Sequence, residues 1–365
     1  MGILRLCLAL VVVLGHAKSA WRPMDAGLAV ELFFIISGFY MALVLDEKYK
    51  DRALLFYSNR IERLFPTYLV VCAATILCMA FFGLQTRVSL ADYGEALHRP
   101  ELWPIVLTNL TVIGQDILCW FSVFPDHIAT NLYFKVSPGV PGFEYTLIPQ
   151  AWSIAFELMF YALAPFLVMR STPFLIALAS ASLALRWAGT TYLTDVSYYL
   201  WPRRVFPAEL CFFLFGFIAF RFRGVATKVP AWVGYAVAAL LVVFIAKHSA
   251  LHINRKLSWA LMFAAVTIAV PLLFETFRRS KVDNFIGELS YPVYIVHILV
   301  IGYVLKFGTI AVVAATLVAA TALVFAIERQ VDKHRQRRVS RSELEIADRK
   351  TQQLNTLAAN AGALV

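Results

Sequence analysis

An arginine and a histidine, Arg5 and His16, bracket the otherwise apolar run LCLALVVVLG. Eleven helical steps of about 100° return to nearly the same face, with a rise of about 16 Å between the two side chains. A guanidinium suits phosphate, and an imidazole can take a proton from a hydroxyl near neutral pH. Ionisable groups inside an apolar helix point to an interior path or a polar partner, which makes His16 a candidate catalytic group. The plain alternative has Arg5 anchoring one end at an interface and His16 snorkelling at the other.

Glu31, a short turn later in LAVELFFIISGFYMAL, returns to about the depth of His16. A carboxylate there could fix the tautomer of the imidazole and stabilise the imidazolium, or simply pair with Lys18 or Arg22. Ser37 and Gly38 then interrupt the apolar run with small side chains, which permits close helix packing or passage of a thin substrate arm. In YSNRIERLFPTY, Arg60 and Arg63 lie three residues apart and share a helix face. Paired guanidinium groups grip phosphate with planar forks, so a phosphorylated donor is expected at that mouth.

Composition supplies the frame for these groups. The 365 residues are 60% hydrophobic and 15% charged, with a mean hydropathy of +0.71, far from a soluble globular average. Apolar runs of about 15 to 22 residues recur, near the length a helix needs to cross a bilayer core. The expectation is an all-α polytopic membrane protein with about ten transmembrane helices. They fall near 3 to 18, 27 to 46, 64 to 83, 152 to 169, 173 to 187, 205 to 222, 231 to 247, 258 to 277, 289 to 306 and 309 to 327.

An eleventh apolar stretch, 102 to 124, carries Asn109, Gln115 and Asp116 and is broken by Pro104. Without it, the linkers on the side of the N-terminus hold 12 Lys and Arg in 34 residues, against 11 in 108 on the other side. The positive-inside bias therefore places both termini in the cytoplasm and reads 102 to 124 as re-entrant or interfacial. A signal-peptide reading of the first segment fits less well, because Lys18 crowds the cleavage site in HAKSA. Residues 1 to 330 form the membrane domain, and 331 to 365 a basic then polar tail, expected to be loosely ordered.

The net charge of +10 collects in short linkers and in KHRQRRVSR, so topology explains it without nucleic acid. The five cysteines lie in apolar runs without metal-ligand spacing and read as core residues, so no metal site is expected.

Five motifs in register resemble the acyltransferase-3 family of multi-span bacterial membrane proteins. They are Arg5 with His16; Phe33, Phe34, Ser37, Gly38 and Phe39; Arg60 with Arg63; Trp152, Ser153, Glu157, Phe160 and Tyr161; and Gly287, Ser290, Tyr291, Tyr294 and His297. The resemblance spans residues 1 to about 330. It implies acyl transfer, usually of acetyl from cytoplasmic acetyl-coenzyme A, onto a hydroxyl of a surface or exported glycan. Lipopolysaccharide O-antigen and exopolysaccharide are the expected acceptors, with the bacterial inner membrane as the location and no permanently bound cofactor.

On that reading Arg60 and Arg63, helped by Arg5, hold the coenzyme phosphates. The pantetheine arm passes Ser37 and Gly38 along the first helix to His16, which acts as general base or as transient acyl carrier. Trp152, Glu157, Arg203 and Arg204 are candidate acceptor contacts. For each there is a plainer reading: belt tryptophan, internal ion pair, or pairing of the two arginines with Glu209. His297 reads first as a satisfied core histidine, with a functional role as the alternative, and Tyr291 and Tyr294 read as packing residues. A transporter or flippase of a lipid-linked glycan would also use many helices with buried charges, and polysaccharide-assembly partners fit either reading.

Overall fold

The computed structural model describes residues 1–50, 52–84, 86, 88–130, 139–192, 203–251, 253–342 and 352. Among them the chain forms α1 (Gly2–His16), α2 (Ala26–Glu47), α3 (Ala53–Phe81), α4 (Leu90–His98), α5 (Trp103–Thr111), α6 (Trp152–Val168) and α7 (Thr172–Tyr192). There follow α8 (Phe206–Arg221), the short α9 (Arg223–Ala226), α10 (Ala231–Lys247), α11 (Arg255–Phe277), α12 (Lys281–Val304) and α13 (Thr309–Leu323). Every one of the ten apolar segments is helical. Eight helices are long and apolar enough to cross a membrane; α1, at 15 residues, and α8, at 16, are shorter. The protein is an all-α multi-pass membrane protein.

The stretch 102 to 124 does not form a continuous helix. Nine residues of α5 end at Val112 in a left-handed conformation, and a turn leads into the strand β1 (Phe121–Val123). β1 pairs antiparallel with β2 (Ile128–Thr130) and with β3 (Val140–Pro141). This loop region has its own small core of Val88, Leu102, Ile105, Leu118 and Tyr145. Its polar residues serve as ties: Asn109 donates to the Tyr145 carbonyl and accepts from the Leu147 amide, and Gln115 donates to the Tyr68 hydroxyl on α3. In an apolar setting such bonds satisfy backbone groups that water cannot reach.

The centre of the bundle is α2 against α8. A methyl on Gly38 would stand 1.9 Å from the Phe213 carbonyl oxygen, and one on Gly216 equally close to that of Ile35. Gly38 is thus consumed by helix packing, which corrects the expectation that it lines a substrate path. Phe213 stacks between Phe34 and Phe160 at 4.5 and 4.3 Å and locks α6 onto the pair.

α1 and α12 run parallel, registered where the Asp283 carboxylate accepts from the Gly2 and Ile3 amides at the start of α1. Beyond α13 the helix continues through a π-turn at Val324–Glu328 as far as Ser342. The expectation of a loose tail is therefore corrected for 331 to 342. Arg338 bonds Glu62 and Ser58 on α3, which orders that turn. The rest of the expected tail, apart from Gln352, lies outside the described residues.

Candidate active site

Five helices enclose a cavity of about 200 Å³, lined by Arg5 of α1, Ser37 and Tyr40 of α2, Arg63 of α3, Glu157 and Tyr161 of α6, and Ser290, Tyr291 and Tyr294 of α12 among others. Proline at 292 leaves a turn of α12 short of one internal bond. The Ser290, Tyr291 and Tyr294 side chains beside it, one helical turn apart, form a wall of the cavity. The two tyrosines, expected as packing residues, line the cavity.

Midway, Glu157 is held from both oxygens: the Ser37 hydroxyl donates at 2.5 Å and the Tyr161 hydroxyl at 3.1 Å. With Arg5 and Arg63 on the same walls, the cavity carries two guanidinium groups and one carboxylate.

Below, Arg5, Tyr40, Arg63 and Tyr291 are shared with a vestibule of about 510 Å³ that the continuation of α13 completes. Arg329, Lys333 and Arg335 add positive charge there, against Asp283, Glu288, Glu328 and Asp332. Glu328, in the π-turn, is tied to the Thr67 hydroxyl; such turns are frequent at functional sites. These basic residues escaped sequence reasoning because the tail looked unstructured. The signal available was the i, i+3 pair Arg335 and Asp332, bonded at 3.2 Å, which fits a continued helix.

Arg60 does not reach this cavity. It is 4% exposed, stacks over Tyr49 and Phe56 at 6.0 and 5.7 Å and points at the Met41 sulfur. Three residues turn the helix by about 300°, which leaves Arg60 and Arg63 about 60° apart, far enough for an aromatic niche to take one while the other faces the opening. Of the pair expected on phosphate, Arg63 is in position.

The path expected along α1 is not formed. Leu8, Ala9, Val12 and Val13, between Arg5 and His16, are buried in the core, partly in a cluster with Val293, Val312 and Ala320 of α12 and α13. Arg5 is the one α1 residue on the cavity wall. At its upper end stand Phe33 and Tyr294, with rings 6.4 Å apart.

Immediately beyond, the Tyr294 and His297 rings are 6.0 Å apart, and His297 Nε2 lies 3.0 Å from His16 Nδ1. The parallel register explains the meeting. His16 lies 14 residues past Gly2 and His297 14 past Asp283, both at a height of about 21 Å.

The hydrogen bonds fix the tautomers. A carbonyl oxygen can only accept, so His297 Nδ1 donates to the Tyr294 carbonyl at 2.7 Å. His297 Nε2 is then the lone-pair nitrogen and accepts from His16 Nδ1. His16 Nε2 is left as the basic nitrogen, on an exposed residue. Tyr294 is itself pinned, its hydroxyl 2.7 Å from the Ser153 hydroxyl and donating to the Gln150 carbonyl, while Gln150 donates to the Tyr294 and Ile295 carbonyls.

Glu31 does not orient His16. It is 1% exposed and accepts from Arg186 at 2.6 Å and Arg203 at 3.3 Å. Arg186 also binds Glu209, so two carboxylates from α2 and α8 share a guanidinium from α7. The carboxylate expected beside the imidazole is replaced by His297, and the cations that Glu31 binds are Arg186 and Arg203 in place of Lys18 or Arg22. The physical reason is charge: a buried carboxylate is held by guanidinium groups far more strongly than by a neutral ring.

Arg203 and Arg204 part company. Arg203 turns to Asp25 and Glu31. Arg204 lies 3.5 Å over the Trp152 ring and donates toward the Cys119 sulfur. Neither pairs with Glu209 in the bonds described. Asp116 is buried near Arg204, and burial pushes its carboxyl above the ordinary aspartate range while Arg204 opposes the shift. Among the described residues no cluster of three or more His, Cys, Asp or Glu could hold a metal ion.

The acyltransferase domain model of the acyltransferase-3 family matches residues 1–329. A curated relative, Protein 2 in the picA locus of Rhizobium radiobacter, is 34% identical over 145 residues, covering 35% of this chain and 75% of that protein. No solved structure matches the chain.

Proposed function

The chain belongs to the acyltransferase-3 family, and from that premise we propose that it moves an acyl group, acetyl by preference, from cytoplasmic acyl-coenzyme A to a hydroxyl of a surface or exported polysaccharide in the bacterial inner membrane. The observation that carries this reading is the hydrogen-bonded His16 and His297 pair at the end of an arginine-lined cavity.

Arg63, Arg5 and Arg335 hold the coenzyme phosphates in the vestibule, as charge-assisted bonds to phosphate favour. The pantetheine arm occupies the cavity, where the Glu157 carboxylate accepts from its amide N–H groups. The thioester reaches the level of Phe33 and Tyr294, and the Phe33 side chain, which no hydrogen bond holds, turns aside to admit it past the pinned tyrosine.

A sugar hydroxyl, approached from the Trp152 and Arg204 side, gives its proton to His16 Nε2. The imidazolium keeps its Nδ1–H on His297, now as a charge-assisted bond. The hydroxyl oxygen attacks the thioester carbonyl, the carbon–sulfur bond breaks as the ester forms, and the thiolate recovers the proton from His16. General-base assistance of this kind contributes roughly 100- to 10,000-fold.

Mass spectrometry of surface and secreted glycans from strains with and without the gene tests the proposal. Loss of an acyl mass from an otherwise intact glycan supports it. Intact acylation with failed glycan export supports a transporter instead.

A further inference from the structure

Arg203 and Arg204 are neighbours in the chain with opposite fates. Arg203 is consumed by Asp25 and Glu31. Arg204 has no carboxylate partner among the described residues; Asp116, buried near it, forms no ion pair with it and leaves its own Oδ1 without a partner. The Arg204 Nε–H is spent on the Cys119 sulfur at 3.3 Å. The four N–H donors of its Nη groups have no acceptor among the described residues.

An arginine that only marks a membrane boundary extends its head freely into water. Arg204 is held instead. It is half-buried, its guanidinium sits 3.5 Å over the Trp152 ring, and the indole is itself braced edge-on by Phe156 at 5.7 Å. Stacking and the Cys119 contact together hold the fork in one orientation, with both Nη groups open, the arrangement that grips two oxygens of a carboxylate or phosphate. Because Arg204 covers one face of Trp152, this shelf offers a guanidinium where a bare indole would offer a stacking surface.

The shelf lies at the level of the histidine pair. Gln150 Nε2 donates to the Tyr294 carbonyl at 3.2 Å, the same oxygen that takes the His297 Nδ1–H at 2.7 Å, and Trp152 opens α6 two residues after Gln150. α1 ends at His16 and α8 begins at Phe206, so His16, Trp152 and Arg204 share one end of the bundle. The connection leaving His16 adds Lys18 and Arg22, both exposed and without a carboxylate partner among the described residues. A neutral sugar would leave these cations unused; an acidic one engages them.

We propose, resting on the acyl-transfer reading, that the acceptor is an acidic glycan and that the Arg204 Nη groups bind a carboxylate or phosphate on it, which presents a neighbouring hydroxyl to His16.

The test uses membranes holding the full-length protein, labelled acetyl-coenzyme A as donor and the deacylated glycan of the producing strain as acceptor, with the products cut to oligosaccharides and read by mass spectrometry. The label is expected on fragments that carry a carboxylate or a phosphate, and the fragment mass tells which. Arg204→Gln is expected to raise KM for the glycan roughly tenfold or more, the worth of hydrogen bonds to a charged group, with KM for acetyl-coenzyme A unchanged; Arg204→Lys is expected to lose less. Label on neutral fragments, or an unchanged glycan KM in Arg204→Gln, overturns the acidic acceptor and leaves acyl transfer standing. No label on any fragment removes the acyl-transfer reading and the acidic acceptor together. Should Arg204→Gln fail to accumulate, the composition of the fragments labelled by the wild type still decides.

Discussion

His297 Nε2 accepts a hydrogen bond from His16 Nδ1 at 3.0 Å, and the Tyr294 carbonyl anchors the far side of the His297 ring. A buried neutral imidazole thus holds the orienting position expected of a carboxylate, and the basic nitrogen of His16 is directed by backbone two steps away. Replacing His297 by Phe removes the acceptor and releases the ring. Acyl transfer is expected to fall roughly 100-fold, the low end of what a positioned base supplies, with donor affinity unchanged. His297→Gln, which can still accept from His16, is expected to lose less. Steady-state kinetics that show equal losses in the two variants would contradict the orienting role.

Arg63 and Arg60 are separable by experiment because one faces the cavity and the other an aromatic niche. Arg63→Gln is expected to weaken acetyl-coenzyme A binding by roughly tenfold or more, the worth of a charge-assisted hydrogen bond. Arg60→Gln is expected to leave that affinity within about threefold and to lower the melting temperature instead, through lost stacking. Calorimetric titration with the donor, alongside a thermal melt, distinguishes the two; a large affinity loss in Arg60→Gln would restore it to the phosphate site.

Glu31 supports the fold. Its carboxylate neutralises Arg186 and Arg203 in the interior, and breaking such a network on one side costs about 3 to 5 kcal/mol. Glu31→Gln should therefore reduce the amount of folded protein and its thermal stability, while turnover per folded molecule stays close to wild type. A stable variant with collapsed turnover would assign Glu31 to the chemistry.

Gly38→Ala tests the α2 and α8 crossing. The added methyl meets the Phe213 carbonyl oxygen at 1.9 Å, a backbone atom that cannot turn aside, and overpacking of this kind costs about 1 to 3 kcal/mol or more. Lower thermal stability is expected; an unchanged melting temperature would show that the helices are not held this close.

The helices were legible in the sequence because lipid demands long apolar runs, and each of the ten segments became a helix. Their partners were less so. The sequence put Glu31 level with His16, and nothing local revealed that Arg186, 155 residues away, would claim it. His297 was detectable in principle: equal offsets of 14 residues from Gly2 and Asp283 place both histidines at one height, but the register itself came only from packing. Arg335 was hidden because the polar composition after Glu328 resembles a solvated tail, whereas bonds from Arg338 to α3 order it. Local periodicity reports elements, and long-range ion pairs decide which side chains share a site.

The central claim is that the His16 imidazole performs the transfer. The direct measurement is the rate at which labelled acetyl passes from acetyl-coenzyme A to the glycan in membranes holding equal amounts of folded wild-type and His16→Ala protein. A loss of roughly 100-fold or more, with donor binding preserved, is the expected result. Transfer by His16→Ala within a few-fold of wild type would contradict it.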